Sequence, residues 1–201
     1  MTEPAKSWII PINQNIYPQI IVDNQEYRQP DRPVQMLGLT ITKTSFTSAH
    51  VVAQVKKAKT ALSSIKKYYS LPTNRKLQLV KSLVLSHLFY PPIPLHVASD
   101  TNLLKLQQVQ NQALRWVYNI KWYDFVRNKK IHKDHNIRPV NQELYWRARK
   151  TWENIKTGDA ADRDTYTALM NMDFYSHKQH THFPSSYEKA MGPEPMALYG
   201  N

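Results

Sequence analysis

Two hydrophobic rhythms divide the chain. Between residues 8 and 42 the apolar positions come in short, β-branched clusters: Trp8-Ile9-Ile10, Gln19-Ile20-Ile21-Val22 and Met36-Leu37-Gly38-Leu39-Thr40-Ile41. Turn-forming stretches, Asp23-Asn24-Gln25-Glu26 and Gln29-Pro30-Asp31-Arg32-Pro33, separate them, so this part predicts a small antiparallel sheet or hairpin. Its core is too small to stand alone, because an isolated hairpin is marginal in water.

From Thr47 the period changes to three and four. Val51, Val55, Ala58, Leu62, Ile65 and Tyr69 fall on one helical stripe. Thr47 or Ser48 is expected to cap that helix, and Ser70-Leu71-Pro72 to end it. At about 100° per residue, Lys56, Lys59, Lys66 and Lys67 form a second stripe beside the apolar one. A second helix is predicted from Thr73 to Tyr90, with Leu77, Val80, Leu83, Val84 and Leu88 inward and Pro91-Pro92 as its stop. A third starts after Ser99 or Asp100 and carries Leu103, Leu106, Val109, Ala113, Leu114 and Val117. After a stretch from Tyr123 to Asn136 that is irregular or holds one short helix, Pro139 suits the first turn of a last helix that ends at Gly158. The expected fold is mainly α: an antiparallel helical bundle preceded by a small β-hairpin or sheet element. The short connections favour antiparallel neighbours. Residues 1–45 are the β element, 46–157 the helical domain, and 158–201 a mobile, His-rich and largely irregular tail.

Charge sharpens this division. The 201 residues carry a formal charge of +12. Residues 1–45 are neutral, residues 46–157 hold 20 Lys plus Arg against five acids for a net +15, and the tail is −3. A localised field of this size attracts polyanions, of which nucleic acid is the commonest in cells. With no Cys and only four Gly, disulfides, thiolate chemistry and glycine-rich nucleotide loops are excluded. No run is long enough for a membrane span or shaped like a signal peptide, so an intracellular location, cytoplasm or nucleus, without membrane association is expected.

Candidate chemistry is sparse. Two-metal phosphoryl transfer needs convergent carboxylates, but the basic region has five scattered acids and no Asp-Asp pair occurs. Asp162 and Asp164 read as solvated surface, His177, His180 and His182 lack the partners of a structural zinc site, and His132 and His135 suit packing or a backbone contact. No catalytic residue, metal site or cofactor is expected. The remaining signal is cations interleaved with aromatics, above all in Lys121-Trp122-Tyr123-Asp124-Phe125-Val126-Arg127-Asn128-Lys129-Lys130. Phosphate-seeking groups there alternate with flat stacking surfaces, and Arg127, Lys129 and Lys130 are the candidate phosphate contacts. Trp116, Trp146 and Trp152 fit a bundle core instead.

These residues carry a resemblance. Val34-Gln35-Met36-Leu37-Gly38-Leu39-Thr40-Ile41, followed by Phe46-Thr47-Ser48-Ala49-His50-Val51 and a Lys- and Ala-rich helix, resembles the primer grip and following helix of jockey-like non-LTR retrotransposon reverse transcriptases. Leu103 to Leu114 resembles that family's Leu-x-x-Leu-Gln-x-x-Gln-Asn helix. The most specific match is Trp122-Tyr123-x-x-Val126-Arg127-Asn128-x-x-Ile131-His132-x-Asp134. The chain departs from the family at Met36, where an aromatic is usual, at Thr42, where Asp is common, and by two extra residues before Val126.

The resemblance covers about residues 16 to 157 and implies the end of a palm, a thumb and the post-polymerase region. Residues 1–45 would be a remnant palm and primer-grip element, with Leu37 and Gly38 primer-grip-like, and 46–157 a thumb-like domain. Fingers, the Tyr-x-Asp-Asp box and an endonuclease are missing, so the chain is expected to be a C-terminal fragment that is no enzyme by itself. The resemblance implies non-specific binding to the backbones of an RNA or RNA–DNA duplex, and self-association through a surface the palm would cover. A helical protein-interaction module or a non-functional retroelement remnant is the alternative.

Overall fold

A computed structural model describes residues 20–22, 25–27, 33–36, 38–42, 46–159, 163–164, 167 and 183–200. Trp8-Ile9-Ile10, Leu37, Asp162 and the His177, His180 and His182 group lie outside these. The chain is mainly helical, with small antiparallel hairpins preceding the helices, and divides into two compact units, residues 1–53 and 54–201.

In the first unit, β1 (Ile20–Val22) pairs with β2 (Gln25–Tyr27) in the register Ile20↔Tyr27 and Val22↔Gln25. Gln25 and Glu26 are therefore strand residues rather than the turn their polarity suggests. β3 (Val34–Met36) pairs with β4 (Leu39–Ile41) in the register Gln35↔Thr40. The apolar run from Met36 to Ile41 thus folds back on itself. Gly38 permits this at φ +81°, where an L side chain would be strained. Across the ladder Gln35 Nε2 donates to Thr40 Oγ1 at 2.8 Å, and the Thr40 N–H donates to Nδ1 of buried His50 at 3.2 Å.

His50 belongs to α1 (Phe46–Ile65). The helix starts at Phe46, so Thr47 and Ser48 lie in its first turn rather than capping it. Of the predicted stripe Val51, Ala58, Leu62 and Ile65 are buried, whereas Tyr69 is 73% exposed. The reason is that a 3₁₀ turn at Lys66–Tyr68 replaces the α-helix before the Ser70-Leu71-Pro72 stop and breaks its phase.

In the second unit α2 (Thr73–Leu79), a π-helical turn at Val80–Leu85 and α3 (Ser86–Leu88) form one helical stretch. The wide turn aligns residue i with i+5. Leu85 consequently joins Val80, Val84 and Leu88 in the core, while Leu83, expected inside, is 44% exposed. Past the proline stop, α4 (Pro92–His96) uses Pro92 as its first residue, where a missing N–H costs nothing. α5 (Asp100–Val117), α6 (Asn128–Asp134) and α7 (Val140–Thr157) follow. Pro139 stands just before α7 and Gly158 just after it.

α7 packs against α4 and α5, and α5 against α2, the π turn and α6. Leu88, Leu95, Leu106, Leu114 and Leu144 are fully enclosed, each worth about 1.5–3 kcal/mol by burial. The tail reading needs correction. α8 (Phe183–Met191) packs on α7 and α4, where Ala190 joins Ala148 and Trp152 in a cluster flanked by Ile155, Tyr187 and Met191. Residues 192–200 then run along the bundle as an extended strap.

Candidate nucleic-acid interface

Lys56 and Lys59 project from α1 as exposed residues. Lys66 and Lys67 are exposed too, but on the 3₁₀ turn beyond the helix end. Lys67 Nζ lies 5.1 Å from the centre of the Tyr68 ring, a cation–π distance. Gly38 is exposed at its hairpin turn in the first unit. Not every lysine of this region reaches water: Lys76 is 1% exposed. Its ammonium donates to Asn119 Oδ1 at 2.6 Å and lies 5.4 Å from the centre of the Trp116 ring. Asn119 adopts φ +56°, which its short polar side chain tolerates.

Arg127, Lys129 and Lys130 are exposed around the start of α6. Cations oppose the positive end of a helix dipole, so this placement is locally unfavourable. Lys130 is partly compensated by Asp134, one turn on, at 2.7 Å. The loop before α6 is held by its own hydrogen bonds. Asp124 Oδ2 accepts the Lys121 N–H at 2.6 Å, and the Val126 N–H donates to Asp124 O at 2.7 Å. From α5, Arg115 donates Nη2 to Val126 O and Nε to Asn128 Oδ1. On this frame Trp122 is 91% and Phe125 105% exposed. Trp122 meets Tyr123 edge-on at 5.5 Å, and Lys121 Nζ is 5.4 Å from the centre of the Tyr123 ring.

The other tryptophans divide. Trp152 is wholly buried, whereas Trp146 is partly exposed, between the Arg138 and Arg149 guanidinium groups, with its Nε1 donating to Glu194. Trp116 is half-buried under Lys76.

Polar residues of α5 and α6 converge in space. Gln107 Nε2 donates to Asn111 Oδ1 (2.8 Å) and lies 3.1 Å from His132 Nε2, itself 3.0 Å from Asn111 Oδ1, and Gln107 Oε1 accepts the Val140 N–H at 2.7 Å. Because a carbonyl oxygen only accepts, His132 Nδ1 is the donor to Ile137 O at 2.8 Å. Burial holds the His132 pKa below its ordinary value, the Ile137 contact opposing. Asn111 Nδ2 reaches Tyr199 O at 2.6 Å, and Asn128 Nδ2 reaches Gly200 O at 3.4 Å. Asn141 reads the strap twice, donating to Met196 O (2.6 Å) and accepting the Leu198 N–H (3.2 Å). These are structural polar groups: Asn111 and Asn128 hold Tyr199 and Gly200, His132 packs against the Tyr199 ring, and Gln107 and Gln110 hold the Val140 N–H and Arg138 O at the start of α7. The signal for this was their position on the apolar face of α5, beside Leu103, Leu106 and Leu114. His135 stacks on Tyr118 at 3.4 Å, a packing role.

One basic feature had no sequence signature. A cleft of about 450 Å³ is lined by Lys81, Ser86, Gln110, Arg138, Arg147 and Glu143, among others. Glu143 pairs with Arg147 at 2.8 Å and with Arg138 at 3.7 Å. Among the described residues no group of three His, Asp or Glu could hold a metal ion, and no helix is long and apolar enough to cross a membrane. Compared with family models, curated proteins and solved structures, the chain matches none.

Proposed function

We propose that the chain is a thumb-like fragment of a non-LTR retrotransposon reverse transcriptase that grips the backbone of an RNA or RNA–DNA duplex without reading its sequence, and that it has no polymerase activity of its own. The observation that carries the reading is the exposure of Lys56, Lys59, Lys66, Lys67, Arg127, Lys129 and Lys130 on a segment of net charge +15. Exposed flexible ammonium groups follow phosphates through electrostatics, and the affinity they supply is independent of base identity. The resemblance of residues 16 to 157 supplies the kind of duplex.

Salt titration tests it. Each phosphate contact releases condensed counterions, so log K falls with log salt by ~0.9 per phosphate on B-DNA and comparably on other duplexes. Lys59→Gln with Lys66→Gln is expected to lower affinity for all sequences alike and to make that slope shallower by about two. Neither residue is buried, so the fold is retained. Arg127→Gln with Lys129→Gln is expected to act in the same direction. A flat salt response, or a slope unchanged in the lysine pair, would instead favour a protein-interaction module.

A further inference from the structure

We propose that the loop from Lys121 to Arg127 is a base-stacking element, and that its ligand is unpaired nucleic acid adjoining the duplex. Trp122 and Phe125 are the two most exposed large aromatics of the described residues. Each has about 150–250 Å² of surface to cover, and both sit on a turn that is already rigid. The Asp124 carboxylate closes that turn on the Lys121 N–H, and Arg115 anchors the far end at Val126 and Asn128. A ligand therefore meets the rings in position, and little ordering entropy opposes binding.

Charge selects the partner. Exposed Lys121 and Arg127 bound the loop and exposed Lys129 follows it, and the two acids next in sequence are engaged, Asp124 with the Lys121 N–H and Asp134 with Lys130. Flat rings among cations match a single strand, whose bases stack while its phosphates meet the ammonium groups. A lipid surface is the poorer fit. Insertion of both rings would carry the Asp124 carboxylate, which lies between them in sequence, toward hydrocarbon, where a charge is expensive.

The inference rests on the duplex-binding reading, and one experiment separates the two. Fluorescence anisotropy compares a blunt RNA–DNA hybrid, the same hybrid with a short single-stranded overhang, and vesicles of phosphatidylserine and phosphatidylcholine. The native chain is expected to prefer the overhang hybrid. Trp122→Ala with Phe125→Ala is expected to remove that preference, about ten-fold or more for each ring, while leaving blunt-hybrid affinity and its salt slope unchanged. Trp122→Phe with Phe125→Trp is expected to retain it. Equal binding of both hybrids, unaffected by the alanine pair, overturns the stacking element and leaves the phosphate grip standing. Binding to neither hybrid overturns both. Tighter binding to vesicles than to the overhang hybrid, lost in the alanine pair, overturns it in favour of a membrane.

Discussion

His96, on α4, is enclosed in the helical unit with its Nε2 unpartnered. Its ring faces Tyr145 of α7 at 6.0 Å and the Lys189 ammonium of α8, which Asp100 in turn attracts. Burial first, and the Lys189 charge second, push the His96 pKa down to about 4, with a hydrogen bond to the Lys189 backbone partly opposing. Between that value and the ordinary 6.5 the unfolded chain binds the extra proton and the folded chain does not. Stability is therefore complete above the unfolded value and declines as pH falls from about 6.5 toward 4, by about 3 kcal/mol at most from this residue. His132 shifts the same way and adds to the slope. Urea unfolding at neutral pH and near pH 4.5 should show the loss, and His96→Gln should remove most of its share. An unchanged pH dependence in that variant would mean that the ring is already charged in the fold. Lys76, equally enclosed, is held by Asn119 Oδ1 and the Trp116 face.

Between the helices and the strap, Asn141 makes two contacts with backbone groups, and removing its amide leaves Met196 O and the Leu198 N–H to find other partners. Asn141→Ala is expected to cost about 1–2 kcal/mol in urea unfolding and to hasten proteolysis within residues 193–200. A variant with native stability and an equally protected end would mean that other contacts hold the strap. This element also marks the limit of what the sequence makes legible. α1 and α5 announce themselves by an apolar period of three and four, because each buries one face, and α7 by Pro139 before it and Gly158 after it. The strap buries no complete side-chain face; it is held by amides that read its carbonyls, and such contacts leave no periodic trace in residues 192–200. α8 was equally hidden, since its nine residues are too few for a sustained pattern among the prolines and histidines around them. The π turn was hidden for a related reason: Leu83 and Leu85 are interchangeable to a pattern argument, and only the width of one turn decides which is inside.

At the scale of the whole chain, charge and function fall on the same division. All seven proposed phosphate contacts lie in residues 54–201, while residues 1–45 are electrically neutral. Lys56 and Lys59 were legible as exposed, because they lie beside the buried stripe of α1 rather than on it. The surroundings of the cations near α6 were not: the Lys130–Asp134 contact needs α6 to be helical, and the frame beneath Trp122 and Phe125 depends on how Arg115 of α5 meets Val126 and Asn128. If binding is electrostatic and carried by the helical unit, the first 45 residues are dispensable for it. A chain of residues 46–201 keeps α1 whole and keeps every one of those cations, though His50 loses the Thr40 N–H it accepts. It is expected to retain the helical circular dichroism of the second unit and to bind a blunt hybrid duplex with the affinity and salt slope of the full chain, because the counterions released depend on the cations that remain. Loss of binding with the helical signal intact would place a necessary contact in the hairpins, with Gly38 at the β3–β4 turn the first position to substitute. A shallower slope would mean that Lys6, Arg28, Arg32 or Lys43 also meets phosphate.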